Sequence, residues 1–162
     1  MINVSWEDAT AYAEWLSKQT GKRYRLPTES EWEYAARSGA KQEAWAGTSK
    51  ESDLDEYAVF LANSGNRTAE IGGKQPNSFG VHDLSGNIWE WVEDCWHHDY
   101  RDAPSTGSAW LEANGGECGR RVLRGGSCND GPGLLRASNR FRFLADFRGN
   151  FLGCRLVQDI EP

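Results

Sequence analysis

An α+β fold with a small antiparallel sheet is predicted by two helix-start motifs near the N terminus and by the short strand-like runs that follow them. Helices that precede a run of strands, with no internal repeat or heptad, favour this class over an alternating α/β sheet. The chain has 162 residues and no linker-like tract. Because one domain usually spans about 100 to 200 residues, we expect residues 1–162 to form a single domain.

Both predicted helices begin at a capping residue. Ser5 is followed by acidic residues in the first turn, and apolar residues then recur at helical spacing until Gly21. Thr28 and Glu31 have the spacing of a capping box, which predicts a second helix ending at Gly39. The first quarter of the chain is therefore expected to be helical.

The rest of the chain is expected to hold loops and short strands. Residues 41–77 are polar and rich in turn-forming Gly, which predicts long irregular loops. Four later runs have strand-like composition and are separated by Gly, Asn, Asp and Pro. These runs are residues 88–92, 121–124, 137–143 and 152–157.

Composition excludes several classes of protein. A hydrophobic fraction of 38%, with eight Trp, five Tyr and six Phe, excludes global disorder and predicts an aromatic core. The apolar runs are too short for membrane insertion, and the first twenty residues lack the pattern of a signal peptide. The net charge of −6 argues against nucleic-acid binding.

Charge is unevenly distributed along the chain. Residues 120–155 contain eight Arg and only two acids, Asp130 and Asp146, for a net charge of +6, which leaves −12 for the remainder. This segment is either a solvated Arg-rich surface or a binding surface, since Arg beside aromatic residues is enriched at interfaces.

The four cysteines do not have metal-binding spacing. Cys95, Cys118, Cys128 and Cys154 contain no C-x-x-C pair, so a zinc site or a thioredoxin-type pair is not expected. Two structural disulfides and four buried free thiols both fit the even count, and we favour the disulfides.

Three groups of motifs together resemble the formylglycine-generating enzyme (sulfatase-modifying factor) family. They are residues 4–9 with 25–37, residues 76–80 with 86–91, and the Arg-Gly-Gly-Ser of 124–127 with the Gly-Cys-Arg-Leu of 153–156. The resemblance spans nearly the whole chain and implies a loop-rich C-type lectin-like fold. Family members normally carry a further upstream segment, which this chain is expected to lack.

The resemblance also implies a structural calcium site. In the family, an Asn or Asp side chain, two loop carbonyls and a Glu hold the ion, and these map onto Asp83, Gly86, Ile88 and Glu90. Hard oxygen ligands of this kind suit Ca²⁺. The alternative is that Asp83 and Glu90 only cap turns or pair with Arg.

The catalytic motif of the family is incomplete in this sequence. The enzymes that it resembles use two copper-binding cysteines shortly after Arg-Gly-Gly-Ser, whereas here Cys128 stands alone in that stretch. One thiol cannot form the two-thiolate site that Cu(I) prefers, so no copper is expected. We therefore interpret the chain as a non-catalytic binding module, with a formylglycine-generating oxidase acting on a sulfatase cysteine as the alternative.

The segment 136–153 places apolar residues among Arg and turn formers. Such a composition is typical of a contact surface. It is similar to the variable proteins of diversity-generating retroelements, which keep the Arg-Gly-Gly-Ser and Gly-x-Arg-Leu frame while other positions change. The alternative is that the Phe side chains are ordinary core residues. The resemblance implies a ligand-binding set of Asn129, Asp130, Leu134, Phe141, Phe143, Leu144, Phe147, Asn150 and Phe151.

The same resemblance suggests the disulfide pairing and the kind of partner. Cys128 and Cys154 occupy places usually taken by Trp and Phe in strands that the family fold places side by side, so pairs Cys95–Cys118 and Cys128–Cys154 are expected. These disulfides would favour an extracytoplasmic or surface-displayed protein. The expected partner is a protein or another macromolecule, not a nucleic acid.

Overall fold

The two N-terminal helices lie where their caps predict them. The computed structural model describes residues 2–160. Helix α1 spans Trp6–Thr20, starts with a reciprocal capping box between Ser5 and Asp8, and ends at Gly21 in the left-handed conformation. Helix α2 spans Glu29–Ala36 and starts with the expected capping box between Thr28 and Glu31.

Helix α2 ends earlier than the sequence indicates. Arg37 caps it, Ser38 takes a left-handed φ of 52°, and a short 3₁₀ turn follows at Gly39–Lys41. The expected loops between 41 and 77 are interrupted by a second 3₁₀ turn at Glu51–Asp53 and a one-turn helix, α3, at Leu54–Tyr57. Leu54 anchors this region because it is fully buried in a cluster with Trp45 and Leu135.

The strands form one four-stranded sheet and one two-stranded ribbon. Their bounds are β1 Tyr24–Arg25, β2 Trp89–Trp96, β3 Glu117–Arg124, β4 Arg140–Leu144, β5 Leu152–Cys154 and β6 Val157–Gln158. The large sheet has the order β4-β3-β2-β5, and β1 pairs with β6. Pairs β2–β3 and β3–β4 are antiparallel, whereas β2–β5 is parallel. The expected α+β class is thus confirmed, with one parallel pair in a mainly antiparallel sheet.

The start of the chain is fastened to its end. The backbone N–H of Asn3 donates to the carbonyl oxygens of Gly149 and Leu152, and the N–H of Trp6 donates to that of Ala145. The β1–β6 ribbon joins the same two ends of the chain. The C-terminal part of the chain therefore supplies part of the attachment of helix α1, which also packs on β1 and β2.

A buried charge network ties helix α2 to the sheet. The side chain of Arg124 is 0% exposed, forms an ion pair with Glu33 and donates to the carbonyl oxygens of Ala137 and Asn139. Arg140 forms two hydrogen bonds to the carboxylate of Glu29, at 2.9 and 2.7 Å. Because buried charges need partners, this network fixes how α2 packs on β3 and β4.

One of the two expected disulfides is present. Cys95 on β2 is bonded to Cys118 on β3, which confirms that pair. The pairing of Cys128 with Cys154 was wrong, because both of these cysteines are free. Strand β2 lies between β3 and β5, so the positions that follow β3 are not adjacent to β5. Two strand spacings of about 4.8 Å exceed the usual reach of a disulfide.

No helix within residues 2–160 is long and apolar enough to cross a membrane.

Candidate functional site

A continuous set of aromatic rings lies on one face of the sheet near β4. We call Trp89, Phe141, Phe143, Phe147 and Phe151 the aromatic surface. Phe143 is at its centre: its ring stacks on Phe147 with a centroid distance of 4.5 Å and meets Phe141 edge-on at 5.4 Å. The indole of Trp89 extends the set, 5.6 Å from Phe141. Such pairs stabilise one another beyond the area that they bury.

The rings differ in exposure. Phe141 is 45% exposed and Phe147 is 38% exposed, whereas Phe143 and Phe151 are half-buried against the core of Trp91 and Leu123. The alternation of strand β4 explains this arrangement, since Phe141 and Phe143 project from the same face two residues apart. The aromatic surface thus contains two rings that pack on the core, Phe143 and Phe151, and two exposed rings, Phe141 and Phe147.

The aromatic surface forms one side of an open cavity of about 270 Å³. Most of its wall is apolar, and a few polar groups lie at one end. The lining residues are Trp89, Ser127, Asn129, Asp130, Leu134, Phe141, Phe143 and Phe151. An apolar wall with a few polar groups is the usual composition of a ligand site.

Asp130 organises the polar end of this cavity. Its carboxylate accepts hydrogen bonds from the indole N–H of Trp89 at 2.9 Å and from the backbone N–H and hydroxyl of Ser127 at 2.8 and 2.6 Å. These bonds hold the turn after β3 against β2. Asp130 therefore fixes the orientation of Trp89, while the neighbouring Asn129 is exposed to solvent.

Most of the expected ligand-binding residues meet at this cavity, but not all of them do. Six of the nine line it, and Phe147 joins through its stack on Phe143. Leu144 projects from the opposite face of β4, and Asn150 is exposed outside the cavity. Sequence analysis missed Trp89 and Ser127. The signal for Trp89 was its spacing of two residues from Trp91, which places the two rings on the same face of β2, where they share one core cluster.

Cys128 is poorly suited to nucleophilic or redox chemistry. It is buried behind the turn, its N–H donates to the carbonyl of Asn87 and its carbonyl accepts from the hydroxyl of Ser64. Burial raises the pKa of the Cys128 thiol above its ordinary value. Since the thiolate is the reactive form, the fold suppresses its reactivity.

The residues expected to bind calcium lie at a second cavity, of about 560 Å³. Asp83, Ile88 and Glu90 line it, whereas Gly86 lies behind it against Val59. Within residues 2–160, no three His, Cys, Asp or Glu side chains cluster so as to hold a metal. A cation here would therefore depend on two carboxylates and backbone carbonyl oxygens.

The carboxylate of Glu90 already accepts hydrogen bonds from one cationic and one neutral side chain. Its carboxylate accepts two hydrogen bonds from Arg155, both at 2.7 Å, and one from the indole N–H of Trp32 at 2.7 Å. Asp83 accepts from the N–H of Gly72 at 2.7 Å. These contacts leave acceptor capacity on both carboxylates, because each has about four lone-pair directions. Glu90 thus pairs with an Arg, as the alternative expected, and a Ca²⁺ ion at this cavity would have to share the Glu90 carboxylate with Arg155.

Fold and motifs together define a loop-rich C-type lectin-like domain of the formylglycine-generating type. A family model described as the sulfatase-modifying factor enzyme 1-like domain matches residues 1–160. The chain therefore belongs to this family. A formylglycine-generating enzyme from Streptomyces coelicolor is 34% identical over 181 residues, which cover 99% of this chain and 53% of that protein. The chain spans about half the length of the curated relatives that it matches.

Two solved structures show the same fold. PvdO from Pseudomonas aeruginosa superposes with a TM-score of 0.88 and 38% identity, covering 98% of this chain and 61% of the other. Variable protein 1 of Treponema denticola superposes with a TM-score of 0.81 and 29% identity, covering 96% and 69%. The fold of this chain is therefore shared with proteins from Pseudomonas aeruginosa and Treponema denticola.

Proposed function

We propose that this domain is a non-catalytic ligand-binding module whose binding face is the aromatic surface. The observation that carries the proposal is that Phe141 and Phe147 are exposed and yet joined to one ring cluster beside an open cavity. Rings held in place by packing contribute a large apolar area with little loss of side-chain entropy on binding. The structural likeness to a variable protein of Treponema denticola supports the proposal that these positions serve recognition.

The alternative activity is oxidation of a sulfatase cysteine, which the names of several relatives suggest. That chemistry needs a second cysteine near Cys128, and Asp130 and Ser127 are instead bonded to each other in this turn. We expect no formylglycine product when a Cys-x-Pro-x-Arg peptide is incubated with the protein, copper and oxygen. Turnover that is lost in Cys128→Ser would support the oxidase instead.

The binding face can be tested with an apolar dye and a matched pair of variants. Phe141 and Phe79 have similar exposed fractions, 45% and 49%, but only Phe141 lines the cavity. We expect Phe141→Ser to weaken binding of 1-anilinonaphthalene-8-sulfonate by about tenfold, because one buried ring contact is worth about 1.5 kcal/mol or more. Phe79→Ser should bind the dye like the parent.

Both variants should also unfold close to the parent, losing less than about 1 kcal/mol, as exposed positions usually do. Fluorescence titration and urea unfolding measure the two quantities. Equal dye binding by the parent, Phe141→Ser and Phe79→Ser would show that the cavity is not the binding face. Severe destabilisation of Phe141→Ser would show instead that the ring is part of the core.

We further propose that calcium binds at the second cavity through Asp83 and Glu90. A ligand that binds only the folded state stabilises it by mass action, so a saturating concentration at 100 times Kd adds about 2.7 kcal/mol. We expect calcium to raise the melting temperature of protein that has been treated with a chelator. Asp83→Asn should lose most of this increase, whereas Asp55→Asn, at an exposed position of α3, should keep it. An unchanged melting temperature with and without calcium would refute the site.

A further inference from the structure

Strand β4 is an edge strand with an unused row of backbone groups. It pairs with β3 on one side only, at the end of the order β4-β3-β2-β5. Just beyond the strand, Ala145 N–H donates to the carbonyl of Gly119, which lies directly opposite in the same register. Because hydrogen-bonded and non-bonded pairs alternate in an antiparallel ladder, Phe141 and Phe143 bond to β3. The backbone groups of Arg140 and Arg142 therefore point away from the sheet.

These outward groups have no other partner in the part of the chain that the structure describes. Across residues 2–160, no side chain or backbone group bonds to the N–H or carbonyl of Arg142, and the carbonyl of Leu144 is taken by Phe147 N–H. The three residues Phe141, Arg142 and Leu144 are exposed. An exposed row of this kind is a template for another strand.

The two faces of β4 have different chemistry. One face carries Phe141 and Phe143, and the other carries Arg140 and Arg142, whose guanidinium groups lie over the ring of Trp96 at 4.5 and 4.4 Å. Arg140 is neutralised by Glu29. Arg142 has no carboxylate within 4.0 Å among residues 2–160; the carboxylate nearest to it in effect is Glu117, which already pairs with Arg120.

We infer that β4 binds an extended peptide segment of a partner protein, with an acidic residue between two apolar ones, as an added antiparallel strand. This inference rests on the proposed function, because the apolar residues would lie on the aromatic surface. Residues directly opposite each other project to the same face, so the residue facing Arg142 lies beside its guanidinium group. Its two neighbours lie beside Phe141 and Phe143. Main-chain bonds then give affinity and the alternating side chains give specificity.

The net charge of residues 120–155 favours an acidic partner over a basic one. Residues 120–155 have a net charge of +6, within a chain of net charge −6. Of the eight Arg in this segment, only Arg140 and Arg142 lie on β4. Arg140 is paired with the buried Glu29, so Arg142 is the exposed cation on the edge strand. Complementary charge sets the register of the added strand and excludes basic sequences.

The probe is the synthetic peptide acetyl-Thr-Val-Glu-Val-Thr-amide, titrated into the whole 162-residue chain and followed by backbone amide NMR shifts. We expect shifts at the amides of Arg140 and Arg142, and about tenfold weaker binding when Lys replaces the central Glu, because the cross-strand charge pair becomes repulsive. Arg142→Glu should reverse this preference. Arg67→Glu, which changes an exposed Arg outside β4, should not.

A second measurement tests the backbone pairing. N-methylation of the central Glu removes an N–H that faces Arg142, and should abolish binding. N-methylation of a flanking Val removes an N–H that points away from β4, and should be tolerated.

The outcomes separate the strand addition from the proposed function. Binding that is insensitive to both N-methyl groups and to Arg142→Glu, but lost in Phe141→Ser, would overturn the strand addition and keep the aromatic surface as the binding face. Peptide binding that Phe141→Ser leaves unchanged would contradict the proposed function. Shifts confined to residues outside β4 would overturn the inference.

Discussion

Replacing Arg140 with Gln should destabilise the domain by roughly 3 kcal/mol. The change leaves the carboxylate of Glu29 buried with only the hydroxyl of Tyr100 at 2.9 Å and Arg124 at 3.8 Å. Breaking a buried pair usually costs about 3 to 5 kcal/mol, and the remaining Arg124 favours the lower end. For a domain of this size the melting temperature should fall by about 6 to 12 °C.

The matched control is Arg148→Gln, which removes the same side chain from a pair of similar geometry. Arg148 forms two hydrogen bonds to Asp8, at 2.6 and 2.7 Å, but its side chain is 51% exposed, against 13% for Arg140. Solvent screens such a pair, so this variant should melt close to the parent. Calorimetry decides the matter: two variants of equal stability would mean that burial of the Glu29 pair does not matter.

Adding a methyl group at Gly86 should have an effect of similar size. Gly86 has a φ of +79°, and a Cβ there would lie 2.2 Å from the carbonyl oxygen of Val59. The backbone on both sides is fixed, since Gly86 N–H donates to Gly125 and Asn87 N–H donates to Val59. The left-handed conformation and the overlap together should cost about 2 to 4 kcal/mol in Gly86→Ala.

Gly80 supplies the control for backbone strain alone. Its φ of +77° is nearly the same, yet no atom lies within 4 Å of an added Cβ. We expect Gly80→Ala to cost only about 1 kcal/mol, the penalty for the left-handed conformation. Urea unfolding of the two variants should differ clearly. Superimposable unfolding curves would mean that the loop around Val59 moves aside without cost.

The parts of the fold that local sequence encodes were predicted correctly. Helices α1 and α2 begin at Ser5 and Thr28 because capping chemistry acts within four residues. The family motifs likewise indicated the fold class. Helix α2 ended before Gly39 because Ser38 took the left-handed conformation, which a non-Gly residue adopts only when its surroundings impose it.

Non-local features were harder to predict. The prediction that Cys128 pairs with Cys154 was wrong because it depended on which strands are neighbours in the sheet. No short sequence motif indicates that β5 lies parallel to β2 at the edge of the sheet. The role of Trp89 in the candidate site was missed for the same reason. Its bond to Asp130 joins residues 41 positions apart. The Phe set was predicted from composition alone, and composition could not show that Leu144 faces away from the others.

The attachment of helix α1 to residues 145–152 has a consequence for the order in which the protein is made. A ribosome adds about 5 to 20 residues per second, so roughly ten seconds separate the emergence of Trp6 from that of Ala145. During that interval the first helix can pack on β1 and β2, but the backbone hydrogen bonds of Asn3 and Trp6 to residues 145–152 cannot form. The N-terminal segment is thus expected to reach its final attachment only after nearly the whole chain has left the ribosome, and a nascent chain that stalls before β5 leaves this segment more open to proteases.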